Sequence, residues 1–237
     1  MSSHETDVRD EKPQFVLPLV VRIERDAPPS RTDALETSAR AVMEILTDDR
    51  SLDEGEWAQA MTDWQDARIR KVVRRARGAE WRKAGALPGI TVTGEEAEVR
   101  VFPPVPLDGW PKELAKLQVS GTDLDDPAEP GPVPDGAVML WINPGLDMSA
   151  GKTMAQTGHG AQLLWWAMRD ADRKAWQEAG FPLAVRTATP ELWAALTAGD
   201  SGLPVVRDAG FTEIAPGKTV VSEGSRLFAP HLRLRQP

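Results

Sequence analysis

The sequence predicts an α/β protein made of two related units that pack on each other as an internal pseudo-dimer. Three observations carry that expectation. Short β-branched runs alternate with segments whose apolar residues recur every three or four positions, the pattern of strands alternating with helices. One proline- and acid-rich stretch, residues 123–136, divides the chain near its middle. The flanking halves also align on each other: without gaps, Val21 falls on Ile142, Ser30 on Gly151, Arg31 on Lys152, Ala34 on Ala155 and Ser38 on His159. Farther along, and with a gap, Trp81-Arg-Lys-Ala84-Gly85 echoes Trp176-Gln-Glu-Ala179-Gly180. These features delimit a disordered leader (1–13), a first α/β unit (14–122), a stiff extended linker (123–136) and a second α/β unit (137–237).

In the first unit, Phe15 to Ile23 is too short and too β-branched for a helix, and Pro18 places it at a sheet edge or at a strand's start. After Pro28-Pro29-Ser30, the residues Ala34, Leu35, Ala39, Val42, Met43 and Leu46 define a helix ending near Asp48-Asp49. A second helix is expected from about Glu54, its stripe formed by Trp57, Ala60, Met61, Trp64, Ile69, Val72 and Val73. This segment turns strongly basic: Arg68, Arg70, Lys71, Arg74, Arg75, Arg77, Arg82 and Lys83 are accompanied by one acid, Glu80. Such a run is either a solvated face paired to acidic neighbours or a phosphate-binding face. Glu98 to Phe102 alternates as a strand, and Trp110 to Leu117 suits a short helix.

The linker's four prolines and five acids rule out a core element. Beyond it a strand is expected at 137–142, a helix from Ser149 or Gly151 to Met168, another from Asp170 to Glu178 ending at Gly180, and a strand from Pro182 to Thr187. Thr189-Pro190 opens a helix with a cap and a first-turn proline, which stops at Gly199. Leu203 to Arg207 and Lys218 to Ser222 form a strand pair around Asp208 to Thr212.

Composition bounds the function. The 237 residues carry 41% hydrophobic and 27% charged residues, ordinary for a soluble globular protein, and no apolar run approaches the roughly 18 residues that cross a bilayer. The polar, acidic N-terminus does not resemble a signal peptide, so the cytoplasm is the expected location and no membrane partner is expected. The absence of cysteine excludes disulfides, thiol nucleophiles and thiolate-bound metal. Three scattered histidines, His4, His159 and His231, argue against a zinc site built mainly on imidazole. A net charge of −8 argues against a coat of nucleic acid over the whole surface, leaving local basic patches open.

The chemistry concentrates in Leu146 to His159, where an apolar run feeds a Pro/Gly loop and then Gly151-Lys152 at a helix start. A phosphate-binding P-loop is excluded by spacing, because five residues rather than four separate Gly145 from Gly151. On a helix Lys152, Gln156 and His159 share one face, and the positive helix terminus with its open N–H groups would add to an anion or oxyanion site. Ala155 and Gly158 would let another element approach closely. The plainer alternative is a capped helix with a surface lysine and a packed histidine.

Leu146-x-Met148-x-x-Gly151-Lys152-x-x-Ala155-Gln156-x-x-His159, followed about fifty residues later by Asp208-Ala209-Gly210-x-Thr212-x-Ile214-Ala215-Pro216-Gly217, resembles the archaeal and eukaryotic type of peptidyl-tRNA hydrolase over residues 137–224. The first unit would then be a degenerate copy of the same small sandwich, a mixed sheet with helices on both faces. The resemblance implies hydrolysis of the ester between a peptide and the 3′ ribose of tRNA, or of a related aminoacyl ester, without metal or other cofactor. That family usually forms homodimers; here the repeat predicts a monomer, with a homodimer as the alternative. Lys152 would stabilise developing negative charge or hold a phosphate, Gln156 would orient substrate or water, and Asp208 and Thr212 would position the attacking water. His159 is either a base or a packed imidazole, the latter preferred. Met148, Gly151 and Gly210 would contact substrate, and Arg74, Arg75 and Arg77 would dock RNA. Gly145, Phe211 and Glu213 depart from the family pattern, each removing polarity or positive charge. This leaves a second class open, a binding protein that keeps the fold with weak or no turnover.

Overall fold

The computed structural model describes residue 9, residues 12–210 and residues 213–234. Most of the expected leader, together with Phe211 and Thr212, lies outside them. Strand β1 (Phe15–Arg22) is buried along nearly its whole length because it is central. The first sheet has the order β2 (Arg70–Ala76), β1, β4 (Glu98–Val101), β3 (Ile90–Thr93), with the two-residue β5 (Val105–Pro106) also pairing with β1. The edge position expected from Pro18 is therefore corrected. Pro18 accepts a bond from the Phe102 N–H through its carbonyl, and this rung is where β4 ends and the chain turns away before β5 pairs again at Val16, so the missing N–H falls at an interruption of the ladder.

The first long helix, α1 (Arg31–Thr47), matches its expected span. The second ends early, as α2 (Ala58–Asp66). The basic stretch expected to continue it is strand β2, parallel to β1, followed by α3 (Gly78–Gly85). Lys71 and Val73 point inward while Arg70, Val72 and Arg74 are partly exposed, so the two-residue period of a strand prevails over the helical spacing of Ile69, Val72 and Val73. Leu17, Leu19 and Val21 face the main core. Val20, on the opposite face, packs with Ala84 of α3 and Leu114 of α4 (Lys112–Ala115), so helices cover both faces of this sheet.

Beyond the linker the elements are β6 (Val138–Ile142), α5 (Ala150–Ala167), α6 (Asp170–Glu178), β7 (Leu183–Thr187), α7 (Pro190–Leu196), β8 (Val205–Asp208) and β9 (Gly217–Glu223). The second sheet runs β7-β6-β9-β8. Replacing β1, β2, β3 and β4 by β6, β7, β8 and β9 converts one sheet's order into the other's, with parallel and antiparallel neighbours preserved. The chain is thus two α/β units of one topology. Structure also moves the tryptophan echo: α3 follows β2, whereas α6 precedes β7, so Trp81 and Trp176 are not equivalent. The counterpart of Trp176 is Trp64. Each indole is buried and donates Nε1–H to the carbonyl six residues on, Trp64 to Arg70 at 2.8 Å and Trp176 to Pro182 at 3.0 Å, pinning a helix to the start of the next parallel strand.

The units meet through α1 and α5, which pack on each other. Thr157 donates to the Leu35 carbonyl and Ser38 to that of Met154, both at 3.4 Å. Gly158 sets the separation, since a Cβ there would lie 2.9 Å from Val42 Cγ2. Each helix also reaches the other unit's edge strand, α1 through Glu36, which accepts from the Val185 N–H and from Arg186, and α5 through Lys71 of β2. The linker has no regular element, yet it is docked. Leu124 enters the core, and Asp126 accepts from the Thr32 N–H and hydroxyl at the start of α1.

Candidate active site

Strand β6 delivers the chain to α5 through a loop whose own bonds fix the helix entry. Asn143 donates to the Lys218 carbonyl and accepts from the Gly145 N–H. Ser149 is the N-cap, accepting from the Lys152 N–H. The first-turn N–H groups expected to be open are occupied instead: that of Gly151 by the buried Thr122 hydroxyl at 2.9 Å, and that of Ser149 by the Glu213 carboxylate at 3.0 Å, which also accepts the Ser149 hydroxyl. Two side chains from distant segments thus satisfy donors that helices otherwise leave to solvent or ligand.

Across from α5, β8 ends at Asp208, and the chain reverses at Gly210, whose φ of 78° favours glycine. The Gly210 N–H returns to Asp208 Oδ1 at 2.8 Å. Asp208 Oδ2 receives two donors from α5, Lys152 Nζ at 2.5 Å and Gln156 Nε2 at 2.9 Å. The Lys152 and Asp208 side chains are only 13% and 11% exposed, so this ion pair is far better shielded than a surface one. Thr219 of β9, fully buried, donates to Gln156 Oε1 at 2.6 Å and so fixes which way the amide points. Sequence reasoning passed over Thr219; its signal was a hydroxyl between Lys218 and two valines on a buried strand.

A pocket of about 380 Å³ adjoins this cluster. Gln156, His159, Trp166 and Asp208 line it from the second unit, and Arg68, Ile69 and Arg70 from the first. Both units therefore build the site, including part of the basic segment. His159 does not touch Asp208: its Nδ1 lies 3.2 Å from Lys71 Nζ. Burial holds Lys71 well below the usual lysine range. Burial foremost, then the charges of Lys71 and Lys152, holds His159 well below the usual imidazole value.

The other expected site residues are dispersed. Met148 is buried in the core and Gly151 against Thr122. Arg74 stacks on Trp110 and donates to the carbonyls of Ala115 and Leu117, while Arg75 donates to the Ser120 carbonyl and the Gln118 amide. Arg77 is the N-cap position of α3. Thr212 lies outside the described residues. Among the described residues no group of three or more His, Cys, Asp or Glu could hold a metal ion, and no helix is long and apolar enough to cross a membrane.

Fold and site together define an α/β protein whose second unit brings an amine and an amide onto one carboxylate beside a pocket. That unit, residues 137–223, matches the family model described as Peptidyl-tRNA hydrolase PTH2. No curated protein and no solved structure matches the chain.

Proposed function

We propose that this protein hydrolyses the ester between a peptide and the 3′ ribose of tRNA, or a related aminoacyl ester. The observation that carries the reading is the convergence of Lys152 and Gln156 on Asp208 beside the pocket, within the segment that matches the hydrolase family. In this reaction the oxygen of water bonds to the ester carbonyl carbon and the bond to the ribose oxygen breaks. The water's proton passes to that oxygen, which leaves as the 3′ hydroxyl. Lys152 supplies positive charge to the oxyanion of the tetrahedral intermediate. Asp208 holds Lys152 and Gln156 in place, and with Thr212 from the following loop it positions the water. The substrate sets the location, in the cytoplasm with the translation machinery. The first unit is a diverged duplicate that supplies one wall of the pocket, making the protein a monomer near 25.9 kDa.

Arg74 and Arg75 are directed at the 115–120 segment, whereas Arg68 and Arg70 line the pocket itself, which makes these two the candidates for contact with the RNA phosphates. The test is deacylation of purified peptidyl-tRNA by the wild type, Lys152→Ala and Asp208→Ala. The wild type should exceed each variant by about 10²–10³ in kcat, the usual cost of one preorganised donor. A wild-type rate no better than the variants' overturns the reading. One observation favours the second class, a binding protein without turnover: the Glu213 carboxylate occupies the start of α5, where an anionic ligand would otherwise bind. Binding of tRNA without deacylation is the outcome that reading requires.

A further inference from the structure

Lys71 reaches the site from the first unit, and its surroundings define what it does there. Its residue is 8% exposed. The stem passes over Gly158, where a Cβ would stand 3.4 Å from Lys71 Cδ, and the amine ends between two residues of α5. Around Nζ are Gln162 Oε1 at 2.6 Å, His159 Nδ1 at 3.2 Å and the Ile69 carbonyl at 3.4 Å, with the Trp64 ring centroid at 4.8 Å. No carboxylate among the described residues pairs with it; Lys152, the other cation whose charge acts on His159, is itself engaged with Asp208. The Gln162 oxygen and the Ile69 carbonyl can only accept, and the protons of the amine are what they require. Gln162, fully buried, commits its oxygen to Lys71 although its Nε2 then has no partner among the described residues.

We infer that Lys71 is a positioning residue of the α5 site: it donates to Nδ1 of His159 and holds the imidazole as the Nε2–H tautomer, so that His159 meets a ligand in the pocket as a hydrogen-bond donor. The two nitrogens of a neutral imidazole have opposite roles, and a donor at one leaves the proton on the other. The three acceptors around Nζ match the three protons of an ammonium, and the lowered proton affinity of His159 agrees with a ring that stays neutral. His159 is then a donor to a carbonyl or phosphate oxygen and not a general base. Its service to an ester carbonyl rests on the hydrolase reading above; the tautomer does not.

The test is a long-range ¹H–¹⁵N spectrum of the histidine rings in the full chain, which has three histidines, with His159→Gln assigning the signal. The wild type should show an acceptor-type Nδ1 and a protonated Nε2. In Lys71→Met, which keeps the stem's volume, the two tautomers should mix and the ring's titration should move up towards its ordinary value of about 6.5. Lys71→Gln keeps a neutral donor and should retain the Nε2–H pattern, which serves as the comparison if the Met variant does not fold. A protonated Nδ1 in the wild type overturns the inference, as does a Lys71→Met spectrum and titration identical to the wild type's. On peptidyl-tRNA, Lys71→Met should lower kcat by about 10- to 100-fold, the loss seen when groups orienting metal-bound imidazoles are removed, with KM little changed. A wild type inactive on peptidyl-tRNA but showing the Nε2–H ring removes the hydrolase reading and leaves the role of Lys71 standing. An active enzyme with a protonated Nδ1 does the reverse.

Discussion

Asp208→Asn is the sharpest perturbation the site offers, because the carboxylate is used on both oxygens by donors alone. Oδ2 takes Lys152 and Gln156, and Oδ1 takes the Gly210 N–H. An amide has one acceptor oxygen. Turned towards α5, its NH₂ opposes the Gly210 N–H; turned the other way, it opposes two donors including an ammonium. The first orientation costs a hydrogen bond and leaves a donor facing a donor, about 1–3 kcal/mol. It also leaves Lys152 without its counter-charge. Breaking a buried pair costs about 3–5 kcal/mol, less beside a pocket open to water, so Asp208→Asn should destabilise the fold by about 3 kcal/mol. Lys152→Met, which leaves Asp208 with Gln156 and Gly210, should cost about 2 kcal/mol on the same reasoning. In the double variant the unpaired charge no longer exists, so the two losses should fall short of additive by about 1–2 kcal/mol. Urea unfolding of the four proteins measures this coupling directly. Each single variant should lose about 10²–10³ in kcat, and the double should be little worse than the poorer single, as expected of groups acting as a unit. Additive stabilities, with a coupling below about 0.5 kcal/mol, would show that the contact between α5 and β8 is incidental and refute its role in assembling the site.

The seam between the units should respond to Gly158→Ala. Helix propensity favours alanine by about 1 kcal/mol, but its Cβ would lie 2.9 Å from Val42 Cγ2, and overpacking costs about 1–3 kcal/mol. Thermal or urea unfolding should therefore show net destabilisation in the wild type and net stabilisation in a Val42→Ala background; a gain in both would mean that Gly158 does not set the helix separation. Stability should also depend on pH through His159 and Lys71, whose affinities for protons are lowered by folding. The unfolded chain binds these protons more readily, so stability rises with pH. The His159 contribution is fully present above its unfolded value of about 6.5 and is lost as pH falls below it, while the Lys71 contribution grows as pH climbs towards about 10.4. One linked proton gives a limiting slope of about 1.4 kcal/mol per pH unit. His159→Gln should flatten the acid limb and Lys71→Met the alkaline one, and unchanged profiles would place both groups in water-like surroundings.

The second unit was legible nearly element by element because each signal there is local. Ser149 and Thr189 cap helices, Gly180 ends one, and the apolar runs are bounded by turn residues. The first unit was less so. Its basic segment contains Ile69, Val72 and Val73 at spacings that suit a helix, and only pairing with the central β1 reveals Val72-Val73 as strand. Pro18 misled for a related reason: whether a missing N–H matters depends on what lies opposite, here a gap between two strands rather than an edge. Within the site, the residues spaced on one helix, Lys152, Gln156 and His159, could be read together. Their partners approach from three different strands, so Asp208 was reached only through the family resemblance, and Thr219 and the inward-pointing Lys71 of the first unit were not reached at all.

That last distinction gives a role to the unit of like topology that lacks the recognisable motif. The first unit has Leu35 and Ser38 where the second has Gln156 and His159, so it has no such site of its own. Both residues lie on the seam instead, the Leu35 backbone carbonyl accepting from Thr157 and the Ser38 hydroxyl donating to Met154. Two equal units would each have to present one α-helix both as a partner surface and as a carrier of site residues. Here only α5 does both: α1 is buried as the partner surface, while α5 packs against it and also carries the polar site residues. The edge strand beside α1 contributes Lys71, Ile69 and Arg70 border the pocket, and α5 leaves Gly158 bare so that the lysine can pass. An isolated second unit would lack that wall of the pocket and the donor to the Gln162 oxygen, so the physical site extends beyond the family match to both halves of the chain.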